Sequence, residues 1–254
     1  MDETDAFVVG IHAVLAALKE APEAVDCVWV DKDRHDGRLQ AVIACAHGGH
    51  VAIRRSPRAA LDRLVPGTPH QGVVARRRPS PRPPEMELLD LVTARPDPFL
   101  LILDGVQDPH NLGACLRTAE AAGVHAVIVP RHARAPLSAV TCRAASGAVE
   151  RLALYEVASL VRTMDALKEA GVWLVGATSD GPQSLHACAL PPAIGWVLGG
   201  EGAGLRRLTR ESCDLLVRIP MAGQTESLNV SVAAGLCLYE SVRARAGVRP
   251  SSAQ

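Results

Sequence analysis

Ile219-Pro-Met-Ala-Gly-Gln-Thr-Glu-Ser-Leu-Asn-Val-Ser-Val-Ala-Ala-Gly235 carries a strand-like apolar end through a polar loop directly into a helix of small residues. Open α/β sheets bind their ligands at junctions of this kind, outside the carboxyl ends of the strands. Two upstream segments share the design. Asp104-Gly-Val-Gln-Asp-Pro-His-Asn-Leu-Gly-Ala-Cys-Leu-Arg-Thr-Ala-Glu-Ala-Ala-Gly123 follows the apolar run 99–103, and Gly199-Gly-Glu-Gly-Ala-Gly-Leu205 follows the run 194–198. Further strands are expected at 126–129, 173–176 and 215–219, with helical stretches between them. Apolar strands alternating with helices imply a parallel sheet covered on both faces. Ordinary connection rules would leave such a sheet unknotted and Rossmann-like.

Upstream, helix and strand patterns alternate from Phe7 to Ala75: a helix over 12–19, a strand over 26–30, a helix near 38–46, a strand over 51–53, a further helix after Pro57 and a closing strand over 72–75. This predicts a small amino-terminal α/β domain over residues 1–76. Prolines 79, 81, 83, 84, 96 and 98 cannot sustain helix interiors or central strands. Residues 77–97 therefore read as an extended linker, with room for a short helix around 85–93. The second domain is expected over 98–247 and a loose tail over 248–254.

With 254 residues, 48% of them hydrophobic, the chain can bury a sizeable core. Its longest apolar runs fall short of the ~20 residues that cross a bilayer, and Met1-Asp-Glu-Thr-Asp5 has the wrong sign for a signal peptide. A cytoplasmic protein is expected, with no membrane partner. The seven cysteines are odd in number, scattered and without a CxxC pair, so they read as reduced core residues. Net charge is zero, but residues 51–82 carry eight arginines against Asp62 alone, a local +7. Arg54, Arg55, Arg76, Arg77 and Arg78 are the candidates for phosphate contact, where the planar guanidinium fork serves well. A GC-rich genome would also favour arginine codons, so the clustering carries the argument.

The glycine loop at 199–204 has neither GxGxxG nor GxxxxGK[ST] spacing, which leaves a tight structural turn or a loop that brings backbone amides and carbonyls to a ligand. Glu201 can accept backbone amides within that turn. Asn111 and, later, Ser227 and Asn229 stand where helix caps belong. Arg117 can pair with Glu120 on its own helix or hold a phosphate. His110 is of the residue type most often used as a general base. No HExxH or Cys/His cluster suggests a metal, and no GxSxG suggests a hydrolase.

In that order, the three segments resemble the motifs of the SpoU family of RNA 2'-O-ribose methyltransferases, within the knotted SPOUT superfamily. Together with Gly10-Ile-His-Ala-Val-Leu-Ala-Ala-Leu18, they most resemble its 23S rRNA guanosine-2'-O-methyltransferase subgroup. The resemblance implies a carboxyl-terminal parallel-sheet domain with a trefoil knot and an amino-terminal RNA-binding domain similar to ribosomal protein L30e. It also implies a homodimer formed through the helix 230–242, with Ala233, Ala234 and Gly235 for close packing. S-adenosylmethionine would be held by Leu198, Gly199, Gly200, Ile219, Pro220, Met221 and Leu228, without metal. Arg117, Asn111, Glu201, Ser227 and Asn229 would serve the transfer step, and His110 is passed over. The RNA partner implied is 23S rRNA. A tRNA ribose methyltransferase, a resistance-type rRNA methyltransferase and a non-catalytic RNA-binding factor of the same fold are the alternatives.

Overall fold

A computed structural model describes residues 7–77, 83–202, 204–225 and 227–247. Arg78 and the tail 248–254 lie outside the described residues. The chain divides into two compact units, residues 1–81 with 136–151, and residues 82–135 with 152–254.

The first unit contains β1 (Phe7–Val9), α1 (Ile11–Glu20), β2 (Val25–Asp31), α2 (Gly37–Gly48), β3 (Ala52–Ser56), α3 (Arg58–Leu64) and β4 (Val73–Arg77). Its sheet runs β1-β4-β2-β3, with β2 and β3 parallel and both neighbours of β4 antiparallel to it. Strand alternation sends Val73 and Ala75 to the face packed by Val14, Leu18, Leu39 and Val42 of α1 and α2, while Val74 joins Leu61 of α3 on the other. Asp36 starts α2 by accepting Arg38 N–H (3.0 Å) and Leu39 N–H (3.1 Å).

Two short helices, α6 (Ala139–Ala145) and α7 (Ala148–Arg151), also belong to this unit, although the sequence pattern places them in the second domain. Their attachment is electrostatic as well as steric. Arg77 and Glu150 form an ion pair with side-chain exposures of 10% and 8%, and Arg151 pairs with Glu20.

The second unit opens with α4 (Glu87–Thr93), within the segment expected to be a linker; its Leu88 and Val92 are buried in the core. The sheet elements follow: β5 (Phe99–Asp104), α5 (Pro109–Ala121), β6 (Ala126–Pro130), β7 (Ala153–Val157), α8 (Leu160–Glu169), β8 (Trp173–Ala177), β9 (Gln183–Ser184), β10 (Ile194–Gly199), α9 (Arg207–Glu211), β11 (Leu215–Arg218) and α10 (Val230–Arg245). Seven strands lie in the order β7-β6-β5-β10-β8-β11-β9, and every registered pair is parallel. β5 is buried along its whole length because both faces are covered. Leu100 and Ile102 face Leu160, Met164 and Leu167 of α8, and on the opposite side the indole N–H of Trp196 donates to Ser241 Oγ of α10 at 2.8 Å. β10 separates β5 from β8, so successive strands depart in opposite directions from the middle of the sheet. That reversal opens a crevice at the carboxyl ends of β5, β10 and β8.

Burial pushes the Cys115 and Cys237 thiols up to about 12, which makes them packing residues. Among the described residues, no helix is long and apolar enough to cross a membrane, and no group of His, Cys, Asp and Glu side chains could hold a metal ion.

Burial raises the Glu150 carboxyl above the ordinary glutamate value, and the attraction of Arg77 offsets this only in part. The folded state therefore holds that proton to higher pH than the unfolded chain, so this group's contribution to stability falls as pH rises through the interval between the two values. Arg77→Met leaves the carboxylate buried and should cost about 3 kcal/mol at pH 8, with a smaller loss at pH 5 where Glu150 can protonate. Urea denaturation at the two pH values checks this; an equal loss at both would show that Glu150 stays ionised.

Candidate active site

The crevice holds a cavity of about 600 Å³. Three chain segments and Arg210 of α9 line it, the segments being the turn after β8 (177–180), the glycine loop after β10 (within 198–205) and the connection from β11 into α10 (within 219–233). Leu198, Leu205, Ile219, Met221 and Leu228 supply apolar wall, and the rest is largely backbone and short polar side chains.

The glycines make this geometry accessible. A Cβ on Gly199 would stand 2.0 Å from the Gly204 carbonyl carbon, and one on Gly200 would stand 2.2 Å from the Gly105 carbonyl oxygen. No side chain fits between these backbones. Gly202 and Gly204 have φ of 79° and 63°, the left-handed region that glycine tolerates, with open space on the side where a side chain would project. The loop closes on itself through Gly204 N–H donating to Gly200 O at 3.1 Å.

A chain of amides crosses the rim. Asn229 Nδ2 donates to Asn111 Oδ1 at 2.9 Å, and Asn111 Nδ2 donates to Glu201. Asn111 can do this because it does not cap its helix. Asp108 is the cap of α5 and accepts Asn111 N–H at 2.8 Å, with Pro109 in the first turn. The expected cap thus lies three residues upstream, and the Asn111 side chain is left for the rim. Asn229 does cap α10, accepting Ser231 N–H at 2.9 Å.

Of the residues singled out from sequence, Leu198, Gly199, Gly200, Glu201, Ile219, Met221, Ser227, Leu228 and Asn229 line the one cavity, and Asn111 joins it through hydrogen bonds. Pro220, His110 and Arg117 are not among the lining residues. Arg117 is exposed on α5, about 9 Å along the axis from Asn111. Sequence reasoning missed Thr178, Ser179, Asp180 and Arg210. Asp180 receives both guanidinium nitrogens of Arg210 at 2.9 Å, which lowers its pKa through those hydrogen bonds. The signal was a Thr-Ser-Asp-Gly turn directly after an apolar strand.

On the first unit, Arg54 and Arg55 are exposed on the edge strand β3, and the Arg54 guanidinium lies 5.8 Å from the centre of the Trp29 ring. Arg76 is exposed, whereas its neighbour Arg77 points to the opposite face and is committed to Glu150. Arg77 is therefore not presented to a phosphate as expected, because adjacent strand residues face opposite sides.

Residues 98–239 match the model of the SpoU rRNA Methylase family, and residues 7–83 match that of the RNA 2'-O ribose methyltransferase substrate binding domain. The chain belongs to the SpoU family. A 23S rRNA (guanosine-2'-O-)-methyltransferase RlmB from Salmonella typhimurium is 49% identical over 94% of this chain and 98% of its own length. The protein of the same name from Vibrio vulnificus is 46% identical over 94% of this chain and 97% of its own. The SpoU methyltransferase AviRb from Streptomyces viridochromogenes, solved in complex with the cofactor AdoMet, superposes with a TM-score of 0.79 at 27% identity, covering 94% of this chain and 90% of that one.

The SpoU glycine loop makes a steric prediction. Gly200→Ala must push β10 and the turn at Gly105 apart, whereas Gly202→Ala meets nothing and suffers only backbone strain of about 1 kcal/mol. Amide chemical shifts at both 104–106 and 199–205 should move in the first variant and stay local to the loop in the second. Unmoved shifts at Gly105 in Gly200→Ala would mean that the two backbones are not in contact.

Proposed function

We propose that the chain transfers a methyl group from S-adenosylmethionine to the ribose 2'-hydroxyl of a guanosine in 23S rRNA. One observation carries this reading: two of the three motif segments line one cavity, and the third is tied to its rim through the Asn229–Asn111–Glu201 hydrogen-bond chain. Identity of nearly one half to enzymes of that name, extending over both units, supports the substrate.

The cavity suits the cofactor. Pockets for molecules of this class run from roughly 300 to 1,000 Å³ and are mainly apolar with a few directed polar groups. Leu198, Ile219, Met221 and Leu228 would flank the adenosine, backbone groups of Gly199 and Gly200 would meet its polar edge, and Pro220 would fix the turn between two of those walls. S-adenosylmethionine supplies an electrophilic methyl group on a sulfonium. The protein's task is to bring the ribose oxygen in line and to stabilise the charge that develops on it.

Asn111, Glu201, Ser227 and Asn229 orient the ribose at the rim. Arg117 is a poor conventional base, since a guanidinium keeps its proton. It acts instead as a clamp on a target phosphate and a stabiliser of the developing alkoxide. The first unit, with an L30e-like fold, grips the RNA through Arg54, Arg55 and Arg76, and the second unit, with α4 packed into its core, carries the chemistry. A trefoil knot is supported by the placement of β10 between β5 and β8 and by the return of α10 onto α5. An rRNA substrate places the enzyme in the cytoplasm.

Purified protein, S-adenosylmethionine and 23S rRNA should yield 2'-O-methylguanosine in nuclease digests analysed by mass spectrometry. No product on either free rRNA or ribosomal particles would overturn the proposal. In the same assay, Arg117→Ala should keep cofactor affinity and lose at least about 10²-fold in single-turnover rate, as for one positioned electrostatic group. A normal rate with saturating RNA would remove Arg117 from the mechanism.

The chain also forms a homodimer through α10. The small residues expected at its interface are used within the chain: Ala234 is fully buried, and Gly235 would bring a Cβ within 3.7 Å of Thr118 on α5. Val232, Leu236 and Tyr239 form the outward stripe at helical spacing, with exposures of 51%, 40% and 50%. Light scattering should give a dimer at micromolar concentration and a monomer for Tyr239→Glu. A monomeric wild type would refute the assignment.

A further inference from the structure

We infer that Asp104 is a positioning residue that holds the glycine loop at both ends and so sets the distance from Glu201 to Asn111. Asp104 is the last residue of β5, and its side chain is fully buried. Its backbone carbonyl accepts the N–H of Gly200, the first turn residue of the loop, at 2.9 Å. Its carboxylate Oδ2 accepts the N–H of Arg206, where the loop enters α9, at 3.1 Å. One residue thus takes hydrogen bonds from both shoulders of the segment 200–206.

A buried carboxylate is costly unless its charge is matched. Here the match comes from the loop itself. Arg206 Nε stands 3.3 Å from Asp104 Oδ1, and Oδ1 has no hydrogen-bond partner among the described residues. The guanidinium extends over Gly105, where an added Cβ would meet Arg206 Nη2 at 3.2 Å. The strand end, the loop and the cation therefore lock together, and separating the loop from β5 would leave the carboxylate uncompensated.

The geometric consequence falls on the rim. Four residues after Asp104, Asp108 starts α5 and thereby places Asn111. Glu201, inside the tethered loop, receives the Asn111 amide. Both ends of that hydrogen bond are thus fixed relative to Asp104, one through the chain and the other through the loop. The inference rests on the cofactor reading above only for its effect on catalysis, because the tether exists in the protein alone.

Arg206 offers a clean test, since its φ of −63° is already that of proline. Arg206→Ala deletes the guanidinium and keeps the N–H. Arg206→Pro deletes both, so the difference between the two reports the backbone hydrogen bond. Asp104→Ala removes the side-chain acceptor at the Arg206 shoulder while keeping the backbone carbonyl, and Asp104→Asn restores an oxygen without charge. In ligand-free full-length protein, hydrogen exchange of the amides from 200 to 205 should speed up at least tenfold in Asp104→Ala and Arg206→Pro, less in Arg206→Ala, with partial rescue in Asp104→Asn.

The Kd for S-adenosylmethionine should rise in the same order, and single-turnover rates at saturating cofactor should fall further for Asp104→Ala than for Asp104→Asn. Unchanged exchange in the two strongest variants would overturn the tether. Faster exchange spread evenly through the sheet would also overturn it, by showing a merely structural carboxylate. A wild-type chain that binds no cofactor, while the Asp104 and Arg206 variants show exchange quickened only in the loop, would sink the methyltransferase reading and leave the tether standing.

Discussion

The backbone of β10 reaches the backbone of β5 at Gly200 and Gly105 with no room for a side chain between them, and the site follows from that contact. Parallel pairing brings the two strands to the same end of the sheet, with Gly199 opposite Asp104 in the register. Two loops leaving adjacent parallel strands would ordinarily diverge, each toward its own helix. Glycine lets the second fold back over the first, so that the amide chain at the rim spans only side-chain hydrogen bonds. A methyl group at Gly200 would force the two loops apart, and one at Gly199 would collide with the loop's own return at Gly204.

The rim is mostly neutral, and this has electrostatic sense. Two asparagine amides connect to a single carboxylate, Glu201, whose charge also helps burial to raise the neighbouring Cys115 thiol. A second acid beside Glu201 would compete with it for ionisation. Amides can instead accept and donate at once, passing orientation along the rim without adding charge. Of the nearby cations, Arg210 is paired with Asp180 and Arg206 with Asp104, while Arg117 stands on the exposed side of α5.

Most of this arrangement is legible in sequence because it depends on short-range pattern. The uninterrupted apolar runs at 99–103 and 194–198 can only be strands buried on both faces, and the glycine and polar loops after them mark the ligand end. What escaped depends on partners distant in the chain. The strand Ala153–Val157 mixes a tyrosine and a glutamate with its apolar residues, and its pairing with β6 is what makes it a strand. Asn111 and Asp108 are both good caps by composition, and Pro109 between them decides for Asp108. The small residues of α10 read equally well as a subunit interface or an intrachain contact. The intrachain contact, with Ala234 buried and Gly235 facing Thr118, appears only once α5 is in place.

The arginine cluster shows the same limit from the other direction. Residues 76 and 77 are chemically identical and adjacent, yet one is exposed and the other buried against Glu150. Local charge counts both alike, whereas counterion release at an RNA surface would count only the exposed one. The same alternation places Arg54 of the edge strand beside Trp29 of β2, with the guanidinium 5.8 Å from the centre of the indole ring. A guanidinium held in this way loses less side-chain freedom on meeting a phosphate or a base than one extended into solvent. Within the cluster, the position of an arginine on the sheet, more than the number of arginines, therefore sets what each can contribute to recognition.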